Sequence, residues 1–153
     1  MEKFIIYTDG GSRGNPGLAG AGAVITNHVG TVLRENRRAF GVKTNNEAEY
    51  EAVILGLETI KKVIGKMRAE VAKIEIRLDS ELVAKQLSGK YQIKEMALQS
   101  LFMKIWNARI VTFPCLAFLH IPREKNRRAD QLANQAMDEG EQKSNQTLFY
   151  VRR

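Results

Sequence analysis

Four acidic residues stand where a chain can bring distant side chains together. Asp9 closes a run of strand-forming residues, and Asp79 closes another directly ahead of a helical stretch. Glu49 and Asp130 fall in the first turns of two predicted helices. Strand ends and helix starts are where open α/β folds gather ligands, and a helix N-terminus tolerates an acid. If neighbouring strands present Asp9 and Asp79 side by side, the charges repel, and a hard divalent cation is the natural way to hold them. Mg²⁺ suits such a site, since it takes oxygen ligands, keeps waters and is commonly completed by substrate phosphate oxygens. Two such ions roughly 4 Å apart serve an in-line phosphoryl displacement. Taken singly, Glu49 and Asp130 read more simply as capping or solvated acids.

The elements that must position these acids follow from periodicity. Lys3 to Asp9 predicts a strand, with Phe4, Ile5, Ile6 and Tyr7 all good strand formers. The stretch Gly10 to Gly17, with four glycines and Pro16, predicts an abrupt break. Ala19 to Thr26 and Val32 to Phe40 predict two more strands, joined at a turn that contains His28. Thr44-Asn45-Asn46-Glu47 matches a capping box, and the helix it opens is predicted to stop at Gly65.

Ile74, Ile76 and Leu78 alternate with Glu75 and Arg77 in a fourth strand. A short helix over Ser80 to Leu87 follows, then a longer one over Ala97 to Val111 with Leu98, Leu101, Phe102, Ile105 and Trp106 on its buried side. Leu116 to His120 is a last strand, Pro122 to Arg128 a polar loop, and Ala129 to Asp138 a closing helix. The order β-β-β-α-β-α-α-β-α predicts an α/β protein with helices packed on one mixed sheet. Residues 1–140 are expected to form this domain and 141–153 a C-terminal tail. Glu139 to Gln146 is loop-like, whereas Leu148 to Val151 has strand propensity, so the tail is expected to dock on the domain, with disorder as the alternative.

At 153 residues, 44% hydrophobic and 27% charged, the chain has the make-up of one soluble domain that buries a core without staples. Lys and Arg number 24 against 17 acids, a net +7 that points to a polyanionic partner. The single Cys115, in an apolar stretch, excludes an internal disulfide and is expected to be buried and inert. No apolar run is long enough to span a membrane, and no signal peptide is evident, so a cytoplasmic location is expected. The glycine-rich stretch lacks the Gly-Lys-Ser/Thr ending of a P-loop, which argues against nucleotide binding.

Tyr7 to Gly17, including Thr8-Asp9-Gly10-Gly11-Ser12 and Gly14-Asn15-Pro16, resembles the opening motif of type 1 ribonuclease H. Thr44 to Glu49, Leu78-Asp79-Ser80 and His120 to Asp130 resemble the family's second, third and fourth motifs, in the family's order. The resemblance implies a ribonuclease H-like fold, a five-stranded mixed sheet flanked by helices. It implies that Asp9, Glu49, Asp79 and Asp130 bind two Mg²⁺ ions, with Mn²⁺ as substitute. The implied reaction is hydrolysis of the RNA strand of RNA–DNA hybrids, leaving 5′-phosphate and 3′-hydroxyl ends. His120 matches a loop histidine assigned to proton transfer or product release.

Asn15 and Asn45 take the family positions for minor-groove contact, where 2′-hydroxyls can both donate and accept. Gly10 and Gly11 are expected to offer backbone amides there. Lys43, Thr44, Arg123 and Asn126 complete the expected substrate contacts, and Lys125, Arg127 and Arg128 add positive charge beside them. The basic handle of many relatives is reduced to Ser88 to Lys94, resembling handle-less archaeal and bacterial members. Val42 and Glu95 replace residues of the family's DNA-phosphate pocket, leaving Lys43 or Lys94 to compensate and double-stranded RNA as an alternative substrate. A monomer is expected. The rival functions are another nuclease of this fold and a non-catalytic hybrid-binding module, against which stands the full set of four acids.

Overall fold

Two tight turns, over 14–16 and 28–31, join the first three strands to one another. In the computed structural model, which describes residues 1–151 and their side chains through 146, β1 (Lys3–Arg13), β2 (Gly17–Asn27) and β3 (Val32–Lys43) form an antiparallel meander. The strands β4 (Lys73–Leu78) and β5 (Leu116–His120) add in parallel on the other side of β1, giving the order β3-β2-β1-β4-β5. The sheet is therefore mixed and five-stranded.

Helix α1 (Asn45–Ile64) covers one face of β1 and β2, and α4 (Met96–Val111) packs beside it. Two short helices, α2 (Lys66–Val71) and α3 (Glu81–Leu87), flank β4 in sequence. The long helix α5 (Arg127–Val151) lies over β2, β3 and β1, on the face opposite α1. The main core fills the α1 face, with Ile6, Ile74, Ile76 and Leu78 from the sheet meeting Tyr50, Val53, Ile60, Leu98 and Ile105. Each such side chain contributes about 1.5–3 kcal/mol on burial. Across the sheet, Val24 meets Ala129 and Leu132 of α5.

Several local expectations are corrected. The strand β1 does not break at Gly10: it runs on to Arg13, because β2 pairs with it residue by residue from Gly10↔Ala21 to Arg13↔Leu18. Tertiary pairing there outweighs glycine's poor strand propensity. The glycines serve approach rather than turning. A Cβ on Gly22 would lie 2.4 Å from the Ala129 carbonyl oxygen, so only glycine lets α5 settle on β2.

On α4, Leu98, Leu101 and Ile105 are buried as expected, but Trp106 is 43% exposed and stacks against Phe102. That helix is apolar on several sides, so periodicity alone misplaces its buried stripe. Cys115 is exposed at the mouth of β5, not buried. The predicted loop over 139–146 and strand over 148–151 are instead a continuation of α5. Side-chain ion pairs hold the extension on the domain: Arg13 meets Asp138 and Glu141, and Arg37 meets Glu139. Docking of the last residues, from 147 onward, lies outside the residues whose side chains are described.

Candidate active site

Parallel pairing of β1 with β4 runs up to Tyr7↔Arg77, and two residues on stand Asp9, within β1, and Asp79, directly past the end of β4. The third acid arrives from α1. Thr44 caps that helix, its hydroxyl accepting from the Glu47 amide at 3.1 Å while the Glu47 carboxylate accepts from the Thr44 amide at 3.1 Å. This fixes the first turn and hence the heading of Glu49. A Cβ on Gly10 would sit 2.0 Å from the Ala48 carbonyl oxygen, so glycine is what allows α1 to press against β1 at this point. The result is that carboxylate oxygens of Asp9, Glu49 and Asp79 lie within 4.8 Å of one another. Asp130, in the first turn of α5, lines the same cleft and is near enough to help raise the Asp9 pKa.

These acids line a cleft of about 420 Å³ together with Gly10 to Arg13, Asn45, Asn46, Ser80, Arg123, Asn134 and Met137. Asp9 and Glu49 are both only 8% exposed. Burial, then the Asp79 charge, then Asp130 push the Asp9 pKa up to about 8. Burial and the charges of Asp9 and Asp79 raise Glu49 well above the usual carboxylate range, against the opposing hydrogen bond from the Gly10 amide. Burial also raises Asp79, but Asn126 and Arg123 hold that shift back. One oxygen of Glu49, Oε2, is buried and has no hydrogen-bond partner. Clustered acid oxygens, one of them unpartnered, form the donor set of a hard divalent cation.

The other expected contacts divide. Asn45 Oδ1 accepts from the Ser12 amide at 2.9 Å and the Ser12 hydroxyl at 3.0 Å, and Asn15 Oδ1 accepts from the Asn45 amide at 3.0 Å. These bonds lock the β1–β2 turn onto the start of α1. Gly10 and Gly11 line the cleft and Arg123 stands over it. Asn126, expected to meet substrate, is 1% exposed and is corrected to an internal role. Its Nδ2 donates to the Thr8 carbonyl at 2.9 Å, its side chain bonds Asp79, and its own carbonyl accepts from the Asp130 amide at 3.1 Å. One side chain and its backbone thus tie together the segments that carry three of the four acids.

Lys43 lies away from the cleft, 4.0 Å from Glu51 and over the Phe40 ring. Arg128 is held by Glu35 through two bonds of 2.6 and 3.0 Å, so it does not stand beside Asp130 as a free cation. His120 is exposed at the end of β5, in register with Leu78, and does not line the cleft. Asn134 and Met137 were not singled out from the sequence. Their spacing from Asp130, four and seven residues on, is the signal that puts them on its helix face.

A family model described as reverse transcriptase-like matches residues 7–136. A ribonuclease H from Hydrogenovibrio crunogenus is 31% identical, covering 91% of this chain and 98% of its own length. The chain belongs to the ribonuclease H family. The bifunctional protein Rv2228c of Mycobacterium tuberculosis is 43% identical over 137 residues, 89% of this chain, but only 36% of that protein is spanned. The chain thus spans about a third of the length of its mycobacterial relatives. The crystal structure of LC11-RNase H1 in complex with RNA/DNA hybrid matches with a TM-score of 0.86 and 47% identity, covering 90% of this chain and 98% of that one. The ribonuclease H family depends on divalent metal, and the carboxylate cluster of this member has the matching composition. Among the described residues no helix is long and apolar enough to cross a membrane.

Proposed function

We propose that this chain hydrolyses the RNA strand of RNA–DNA hybrids, leaving 5′-phosphate and 3′-hydroxyl ends. The observation that carries the reading is the meeting of Asp9, Glu49 and Asp79 within 4.8 Å, with a buried Glu49 oxygen left unpartnered. Asp9, Glu49, Asp79 and Asp130 would hold two Mg²⁺ ions, or Mn²⁺ in their place. Such ions, when bound, activate the attacking water and stabilise the leaving oxygen of an in-line displacement.

The chain's own residues do the rest. Asn126 keeps the strand ends at fixed spacing and donates to Asp79, favouring its charged form. Arg123 places a cation over the cleft where phosphate charge must be met. Asn15, held by the Asn45 backbone amide, and Asn45, held by Ser12, offer side-chain amide groups to the 2′-hydroxyls that only RNA carries. His120, solvent-exposed at the end of β5, offers an imidazole to carry the departing proton. Val42 is exposed but supplies no side-chain donor, and the Glu95 carboxylate repels phosphate, so neither residue favours binding of a DNA-strand phosphate. Double-stranded RNA is accordingly the competitor to test. A monomer in the cytoplasm remains part of the proposal.

The deciding experiment offers labelled RNA–DNA, RNA–RNA and DNA–DNA duplexes with Mg²⁺, Mn²⁺ or EDTA. The expected result is cleavage of the RNA strand in the hybrid with either cation and none in EDTA. Intact hybrid under every cation would overturn the proposal.

A further inference from the structure

Arg13 is the last residue of β1, and its side chain lines the same cleft as the four acids. Its NH1 lies 2.6 Å from an Asp138 carboxylate oxygen and 2.9 Å from one of Glu141, the first at the end of the predicted closing helix and the second on the stretch of α5 that the sequence predicts as loop. Its NH2 donates to the Asn134 carbonyl at 3.4 Å. The backbone beneath it is anchored, since Ser12 bonds Asn45 through both its amide and its hydroxyl. The guanidinium can therefore change partner while its base stays in place. All three charged groups face water, with side chains 34%, 57% and 43% exposed. Ion pairs so exposed hold weakly and are screened by salt.

A guanidinium fork fits phosphate as well as it fits carboxylate. A nucleic-acid backbone entering this cleft brings a dense row of phosphates past Arg13. We infer that Arg13 is a phosphate-binding residue of the cleft, and that Asp138 and Glu141 occupy it until the backbone of a bound duplex takes their place. The two acids act as an internal competitor that loosens binding. The inference rests on the hybrid-cleaving function proposed above.

The test measures the affinity of the full chain for a fluorescent RNA–DNA hybrid by anisotropy, with Ca²⁺ replacing Mg²⁺, over a series of KCl concentrations. Arg13→Ala should weaken binding roughly three- to tenfold and flatten the salt dependence by about 0.9 in log–log slope, the value for one phosphate contact on duplex DNA. Arg13→Lys, which keeps the charge but loses the fork, should fall between. Asp138→Asn with Glu141→Gln should tighten binding roughly three- to tenfold in the wild-type background. The same pair should change it less than about twofold in Arg13→Ala, the signature of coupled sites.

An unchanged affinity and slope in Arg13→Ala overturns the inference. So does a double acid variant that binds more weakly, or one that tightens binding equally without Arg13, which would mark a general charge effect. Circular-dichroism melting of each variant separates lost contacts from lost fold. A wild-type chain that binds no hybrid defeats the proposed function itself, whereas hybrid binding and cleavage that ignore Arg13 defeat only this inference.

Discussion

Burial, the neighbouring charge of Asp79 and the nearness of Asp130 all act against ionisation of Asp9, and together they lift its pKa to about 8. A side chain so disfavoured as a bare anion suits a site whose charge a bound cation would offset. Asp9→Asn should cut cleavage by roughly 10²–10³-fold or more, while hybrid binding persists. The same substitution removes a repelling charge, so the metal-free variant should melt above wild type at alkaline pH. Substantial Mg²⁺-dependent cleavage by Asp9→Asn would dismiss the metal assignment. Asn126 works differently. Replacing it with Ala leaves the Thr8 carbonyl without its donor, at about 1–3 kcal/mol, and withdraws the bond that favours ionised Asp79. Urea titration should register the first effect, and a raised Mg²⁺ concentration for half-maximal cleavage the second. Asp9 and Asp79 stand out in the sequence because they close strands, whereas Glu49 and Asp130 read alone as capping acids and are singled out by the resemblance of their motifs. The internal role of Asn126 is not legible, since an amide amid charged loop residues looks solvated until the turn over Arg123–Lys125 folds it under.

At the scale of elements, the site depends on how closely α1 approaches β1. Gly10→Ala would set a methyl 2.0 Å from the Ala48 carbonyl oxygen, so the helix must retreat and carry Glu49 with it. Overpacking of this kind costs about 1–3 kcal/mol, and metal affinity should fall along with thermal stability. A Gly10→Ala chain with wild-type Mg²⁺ binding would show that Glu49 does not need this approach. The capping box at Thr44 is legible because its bonds span only three residues. The course of β1 is not, for its last residues are held in strand by β2 and not by their own propensity. Nor is the length of α5 legible. The stretch Glu139 to Gln146 reads as loop, yet Gly140 lies in the helix interior over Ala39, and arginines from β1 and β3 hold the acids on either side of it.

The whole molecule sets a cleft of crowded acids inside a chain of net charge +7. Long-range attraction draws a polyanion in, while short-range repulsion within the cleft demands cations, and the second effect should govern stability against pH. Asp9 and Asp79 start from 3.8 and Glu49 from 4.5, and all three are raised in the folded state. The folded chain therefore holds more protons than the unfolded chain from about pH 4 up to about pH 8. Stability contributed by these groups is present at the acid end of that window and is lost as pH rises through it. Glu2, Glu35, Glu75 and Glu81 are shifted the opposite way, below 4.5, so their contribution fades only at more acidic pH and leaves the window clear. In EDTA, the melting temperature should thus fall between about pH 5 and about pH 8, by about 2–4 °C for each kcal/mol of repulsion. Added Mg²⁺ should raise it far more at the alkaline end, where the carboxylates are ready to bind. In Asp9→Asn both the fall and the Mg²⁺ response should shrink. A melting temperature in EDTA that is flat across the window, with equal Mg²⁺ shifts at its two ends, would mean that these carboxylates do not crowd one another as described.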